Sequence, residues 1–241
     1  MIGTPIDVVN FSDAVDAMLR WSAAGERRYV CACNVHSAVT ARRHARLAAS
    51  IAGADMVVAD GAPVAWLMRK AGFASQERVS GPDLMWRYFE SAAPRGESIF
   101  LCGGKPDTLE RLSARISDTF PGLRIAGTYS PPFRPLSPRE DQALVDMINA
   151  SGATTIWISL GCPKQELWMA EHRDSIQSVL VGVGGAFALH AGQARRAPLW
   201  MQRHGLEWLH RMMCEPRRLW RRYLSTNTVF VFAAARQLFK R

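Results

Sequence analysis

Asp60 closes the apolar run Val57-Val58-Ala59 and is followed by Gly61 and by Pro63, a residue suited to the first turn of a helix. A carboxylate that ends a buried strand faces the ligand crevice of an α/β sheet, where it can act as a general base. The same spacing also suits an Asx-turn or a helix cap, and the local residues leave both readings open. A second strand-to-helix turn, Gly161-Cys162-Pro163-Lys164-Gln165-Glu166, offers backbone amides and Lys164 to a phosphate, and Gln165 to ligand hydroxyls. Two glycine pairs follow other apolar runs, in Gly103-Gly104-Lys105 and in Gly182-Val183-Gly184-Gly185. Glycine lets a backbone approach a phosphate or a sugar closely, so Gly103, Gly104 and Gly184 are candidate substrate contacts; simple tight turns use the same residues.

Several chemistries are disfavoured by what is missing. After Gly182 and Gly184 the third position of a G-x-G-x-x-G motif holds Phe187, and no P-loop signature occurs, which argues against nicotinamide and P-loop chemistry. There is no D-x-D for a metal-bound nucleotide diphosphate and no H-E-x-x-H, so neither a metal nor another cofactor is expected, and the six histidines are read as structural or surface residues. The five cysteines form no C-x-x-C pair and are odd in number, which fits buried thiols better than a disulfide framework or a zinc knuckle.

Positioning these groups requires a sheet. Tyr29 to Cys33, Met56 to Ala59, Ile99 to Cys102, Leu123 to Gly127, Thr155 to Leu160 and Val179 to Val183 are brief, β-branched runs that read as buried strands. Between them Val35 to Ser50, Pro82 to Ala93, Asp107 to Phe120 and Pro138 to Ala150 read as helices, with Ser12 and Ser137 as caps. This alternation predicts an α/β, Rossmann-like domain with a largely parallel sheet. Ser130 to Pro138 carries four prolines and reads as a stiff loop. Beyond Gly192 the strands stop, and Pro198 to Met213, Pro216 to Ser225 and Thr226 to Leu238 read as helices, so the expected division is an α/β domain at 1–193 and a helical appendage at 194–241.

Charge follows the same division. Of 30 Lys and Arg against 21 Asp and Glu, the appendage holds 11 basic residues and only Glu207 and Glu215, so its 11 less 2 equals the whole +9 excess. Three tryptophans, Trp200, Trp208 and Trp220, lie among these cations, a mixture suited to an anionic membrane interface or to nucleic acid. The longest apolar stretch there, Val229 to Ala235, is far below the ~20 residues of a spanning helix. Met1 to Asn10 lacks a basic flank followed by an apolar run, which makes a cytoplasmic location the default expectation.

Taken in order, Asn34-Val35-His36, Ala59-Asp60-Gly61, ERVSGPDLM from Glu77, FLCGGKP from Phe100, LGCPKQE from Leu160, VGVGGAF from Val181, AGQARRAP from Ala191 and GLEWLHRMMCEPRRLWRRY from Gly205 resemble the WecG/TagA/CpsF glycosyltransferases. The resemblance implies a GT-E fold and inverting, metal-independent transfer of a sugar from a UDP-sugar to a polyprenyl-diphosphate-linked saccharide in cell-envelope or exopolysaccharide biosynthesis, and it adds a peripheral place on the inner face of the cell membrane. It further implies that Asp60 is the catalytic base and that Asn34, Arg78 and Gln165 are active-site polar groups. Arg211, Arg218 and Arg221 match arginines of an appendage that closes over the site and recognises the acceptor diphosphate. Ala62-Pro63 stands where many members continue DGxG, and Ala188 where many have Asp. The stretch SPPFRPL resembles members from exopolysaccharide clusters, which points to a neutral hexose such as glucose rather than N-acetylmannosamine.

Two other classes compete. A nucleic-acid-binding protein is suggested by the tail alone, but the neutral body and the lack of a groove-reading motif oppose it, so no nucleic-acid partner is expected. A non-catalytic membrane adaptor would share the tail without needing Asp60 in a crevice. The sequence leaves the donor sugar, the acceptor glycan and a homo-oligomer open.

Overall fold

The computed structural model describes residues 1–239, apart from the side chains of Arg203, Arg218, Arg221 and Arg222. After α1 (Phe11–Ala23) the chain alternates strands and helices through β1 (Arg28–Cys33), α2 (Val35–Ala41), α3 (Ala45–Ala52), β2 (Met56–Ala59), α4 (Ala62–Lys70) and α5 (Gly81–Ala92). It continues through β3 (Ser98–Gly103), α6 (Pro106–Thr119), β4 (Arg124–Tyr129), α7 (Pro138–Ser151), β5 (Thr155–Ser159), α8 (Lys164–His172), β6 (Val179–Gly182) and α9 (Ala186–His190). The six strands form one wholly parallel sheet in the order β2-β1-β6-β5-β3-β4, the α/β Rossmann-like arrangement that the alternation predicts.

Alternate residues of the inner strands supply two cores. On one face Val30, Ala32, Leu101, Trp157 and Val181 pack with Met18 of α1, Leu84 and Phe89 of α5, Leu112 of α6 and Phe187 of α9. On the other, Tyr29, Cys31, Cys33, Phe100, Ile156 and Leu180 pack with Val39 of α2, Leu47 of α3, Leu67 of α4, Ile148 of α7 and Met169 of α8. The chain therefore leaves β1 toward one face and leaves β6, its neighbour, toward the other. A crevice follows outside the carboxyl ends of these strands, the place where such sheets take ligands.

Local signals explain most element boundaries, and where they mislead the reason is visible. Ser137 caps α7 in a full capping box with Glu140, as expected. The cap of α1 is Asn10 rather than Ser12: its side chain accepts from the Asp13 amide at 2.9 Å. The stretch read as one helix from Val35 breaks between α2 and α3, where His44 Nδ1 accepts from the Leu47 amide and starts a new helix. Ser130 to Ser137 is the irregular connection that its prolines demand.

The segment after Gly192 contains α10 (Leu199–Arg203), α11 (Glu207–Cys214) and α12 (Pro216–Phe239), with no strand among its described residues. Gly205, at φ +72°, separates α10 from α11 inside a segment read as one helix. The two helices expected from Pro216 to Leu238 are one, because Ser225 to Thr228 is absorbed: Thr226 is buried, and Thr228 Oγ1 donates back to the Leu224 carbonyl at 2.7 Å. This long helix lies along α2, placing Phe230 and Ala234 in the second core, and Gln237 Oε1 accepts from the Ile2 amide at 2.7 Å.

The close approach of β3 to β5 at the strand ends is tested by Gly103, which has φ +122° and where a Cβ would lie 2.5 Å from the Ser159 carbonyl oxygen. Gly103→Ala should destabilise the fold by about 2–4 kcal/mol, lowering the melting temperature by roughly 5–10 °C. Urea and thermal denaturation measure this directly, and a wild-type midpoint would contradict the packing described.

Candidate active site

A cleft of about 1640 Å³ lies between the carboxyl ends of β1, β2, β5 and β6 and the helices α11 and α12. Asn34, Asp60, Arg78, Gln165, Gly184 and Arg211 all line it, so most of the candidates dispersed along 178 positions of sequence meet in one place.

Asp60 follows β2 directly, and its amide donates to the carbonyls of Cys33 and Val58, both at 3.0 Å. Gly61 turns the chain there with φ +102°, a conformation that favours glycine, and Pro63 lies in the first turn of α4. Asn34 caps α2: its Oδ1 accepts from the Ser37 amide at 3.2 Å. The cap fixes the direction of the amide, and Nδ2 donates to Asp60 Oδ2 at 3.3 Å. One side chain thus starts a helix and orients the carboxylate.

Removal from bulk water raises the Asp60 pKa above the ordinary carboxylate value; the Asn34 hydrogen bond and the Arg78 and Arg211 guanidinium groups pull it down, while Glu207 adds to the rise. The net effect is upward. A basic carboxylate that still meets the cleft is the kind of group that accepts a proton efficiently.

Arg78 is carried by the irregular segment before α5, where the Val79 amide donates to the Ala59 carbonyl at 3.0 Å and ties that segment to the end of β2. Its guanidinium pairs with Glu207 of α11 and lies 3.6 Å from Asp83. Burial disfavours the Asp83 carboxylate, but hydrogen bonds from Arg196 and Ser80 outweigh it and hold the pKa below the ordinary value. The appendage is fitted closely on this side: a Cβ on Gly205 would lie 2.8 Å from Ala62 Cβ, and one on Gly185 only 2.9 Å from Arg211 Nη2.

Gln165 is buried, with Oε1 accepting from the amides of Gly161 (3.2 Å) and Gly184 (3.1 Å) and Nε2 donating to Glu166 Oε1 (3.0 Å). The Gly184 carbonyl also accepts from Ser159 Oγ. Gly103 and Gly104 lie outside the cleft lining: Gly103 packs on Ser159, and the Gly104 carbonyl accepts from Ser130 Oγ at 2.8 Å. Arg218 and Arg221 belong to α12, but their side chains lie outside the described residues.

The sequence analysis does not assign Glu207, Asp83, Arg195, Arg196, Trp66 or Trp208 to the site, although all but Asp83 line the cleft. Glu207 had a signal, being one of only two acidic residues in a strongly basic tail. Among the described residues no three His, Cys, Asp or Glu side chains gather as a metal site, and no helix is long and apolar enough to cross a membrane. Compared with known protein families, the whole chain, residues 1–241, matches the glycosyl transferase WecG/TagA/CpsF family.

The raised Asp60 pKa has a consequence independent of any reaction. A carboxyl that binds its proton more tightly when folded contributes stability that is complete below the unfolded value near 3.8 and is lost as pH rises through the folded value. Asp60→Asn removes that loss, so the variant should melt above wild type at pH 7, with the gap closing as pH falls toward 4. Thermal melts across this range check it; a variant less stable than wild type at pH 7 would show that the surrounding cations outweigh desolvation.

Proposed function

The chain belongs to the WecG/TagA/CpsF glycosyltransferase family, and on that premise we propose that it transfers a sugar from a UDP-sugar to a polyprenyl-diphosphate-linked saccharide, with inversion and without a metal, at the cytoplasmic face of the cell membrane. Family membership already makes it a transferase of cell-envelope polymer biosynthesis. The observation that carries the finer reading is Asp60, a carboxylate of raised pKa at a strand end, in a cleft whose other lining groups include Arg78, Arg195, Arg196 and Arg211.

In this reading the acceptor hydroxyl donates its proton to Asp60 as its oxygen attacks the anomeric carbon, while the bond from that carbon to the diphosphate oxygen breaks on the opposite side. The acceptor oxygen gains the glycosyl group, Asp60 the proton, and UDP leaves with the electron pair. Arginine side chains and backbone amides stabilise the developing charge in a site partly withdrawn from water. Asn34 holds the Asp60 carboxylate in place, and Arg78 reaches the donor after exchanging its carboxylate partners for phosphate oxygens.

Membrane attachment is supported by what the appendage exposes. Leu199, Trp200, Met213, Trp220, Leu224, Val231 and Phe232 lie open to solvent, with Trp200 at 58% and Phe232 at 73%, among most of the excess positive charge. Aromatic and aliphatic groups interleaved with arginine suit an anionic leaflet, where each cation contributes on the order of 1 kcal/mol.

Transfer assayed with purified UDP-sugars and a short-chain lipid diphosphate acceptor in EDTA should proceed at the rate seen without chelator. Asp60→Asn should lower that rate by ~10² to 10⁴. For wild type the acidic limb of the rate profile should lie above the ordinary Asp range, and Asn34→Ala should move it to higher pH. Rescue of an EDTA-inactivated enzyme by Mg²⁺ would refute the metal-free reading, and retention of a tenth of the rate by Asp60→Asn would remove Asp60 from the base role.

Liposome flotation addresses the membrane separately. The double variant Trp200→Ser/Phe232→Ser should bind anionic vesicles roughly tenfold more weakly, while its turnover on the detergent-soluble acceptor stays near wild type. Equal flotation of variant and wild type would show that the exposed apolar groups serve another surface.

A further inference from the structure

Glu166 is 1% exposed, yet none of the chemistry above uses it. Its Oε1 accepts from Gln165 Nε2 at 3.0 Å, the Cys162 thiol and the Glu166 backbone amide also bond the carboxyl, and burial still raises its pKa above the ordinary carboxylate value. A buried carboxyl is expensive, and an apolar side chain of similar shape is often neutral or stabilising in such a place. Stability alone does not account for it.

Glu166 supplies one of the three contacts that orient its neighbour and the only one at the NH₂ end among those described. The two ends of the Gln165 amide are nearly the same size, but one accepts and the other donates. Two backbone donors, the amides of Gly161 and Gly184, converge on one end, and the Glu166 acceptor meets the other. A flip would set the NH₂ group against both glycine amides and the carbonyl against the carboxyl. Gly182 completes the fit, since a Cβ there would lie 3.1 Å from Gln165 Nε2 and 2.7 Å from Met169 Cε. The glycine turns held in this way follow β5 and β6, and both line the cleft.

We propose that Glu166 is a positioning residue: by fixing the Gln165 amide it clamps the Gly161 and Gly184 turns together and so sets the shape of the cleft wall. The structural half of this assignment stands alone; its effect on turnover rests on the glycosyl-transfer reading above.

The test is hydrogen exchange at the Gly161 and Gly184 amides of the full chain, with melting temperature and steady-state kinetics on the same samples. Glu166→Met keeps the shape but removes the acceptor. Exchange at both glycines should rise about tenfold, with Ile99 and Phe100 in β3 unchanged and the melting temperature not lowered. Glu166→Gln, whose carbonyl still accepts from Gln165, should stay within about twofold of wild type. With a working donor, kcat/KM of Glu166→Met should fall at least tenfold, mainly through KM, and Glu166→Gln should restore it. Wild-type exchange at either glycine in Glu166→Met, or a uniform rise over the whole chain with a lower melting temperature, would overturn the proposal. Failure of both Glu166→Met and Glu166→Ala to fold would do the same, making the carboxyl a stability element. If no donor supports turnover in wild type, the glycosyl-transfer reading fails while the exchange result still decides the clamp.

Discussion

The divergence of the chain after β1 and β6 is the constraint from which the cleft follows. Neighbouring parallel strands whose helices cover opposite faces leave their carboxyl ends uncovered, and no side-chain choice closes that gap without filling it. The residues placed there have little freedom. Asn34 caps α2, Asp60 follows β2, and Gly184 turns the chain out of β6, so each is fixed by the element it adjoins. Parallel pairing in register, with Cys33 opposite Ala59 and Cys31 opposite Gly182, then brings together groups far apart in sequence.

Asp60 shows how that geometry trades stability for reactivity. Desolvation makes its ionised form costly, and the Asn34 amide with two guanidinium groups returns only part of the cost. The balance is set by the appendage as much as by the sheet, because Glu207 and Arg211, of opposite sign, both come from α11. A small displacement of that helix changes the basicity of a residue just beyond β2 without touching it.

The sheet was legible because its strands are short and apolar, five of them almost wholly buried and the edge strand β4 partly exposed, and the parallel topology because helices separate them. The break at His44 was not: it depends on an imidazole acting as an N-cap, which periodicity does not register. Likewise Ser225 to Thr228 looks like an interruption, yet a hydroxyl bonded to the preceding turn lets α12 run through it. The strand-end place of Asp60 was legible, and its helix-cap alternative falls because Gly61 is the residue that caps α4. The partners of Arg78 were not legible, since Glu207 lies 129 positions away and only tertiary packing brings it back. Gln165 was visible as a polar residue at a turn, but its two bonds to glycine amides depend on β5 and β6 being neighbours, which no local pattern encodes.

The seat of α12 also bears on how the protein is made. Phe230 and Ala234 complete a core whose other members begin with Ile2, and Gln237 meets the Ile2 amide across 235 positions. A ribosome adding about 5–20 residues per second has finished every strand several seconds before these partners emerge. If the sheet assembles in that interval, it does so with the apolar flank of α2 uncovered. The nascent chain therefore carries a sticky surface until its last helix arrives, and a chaperone or a nearby bilayer that shields it during synthesis has a defined window in which to act.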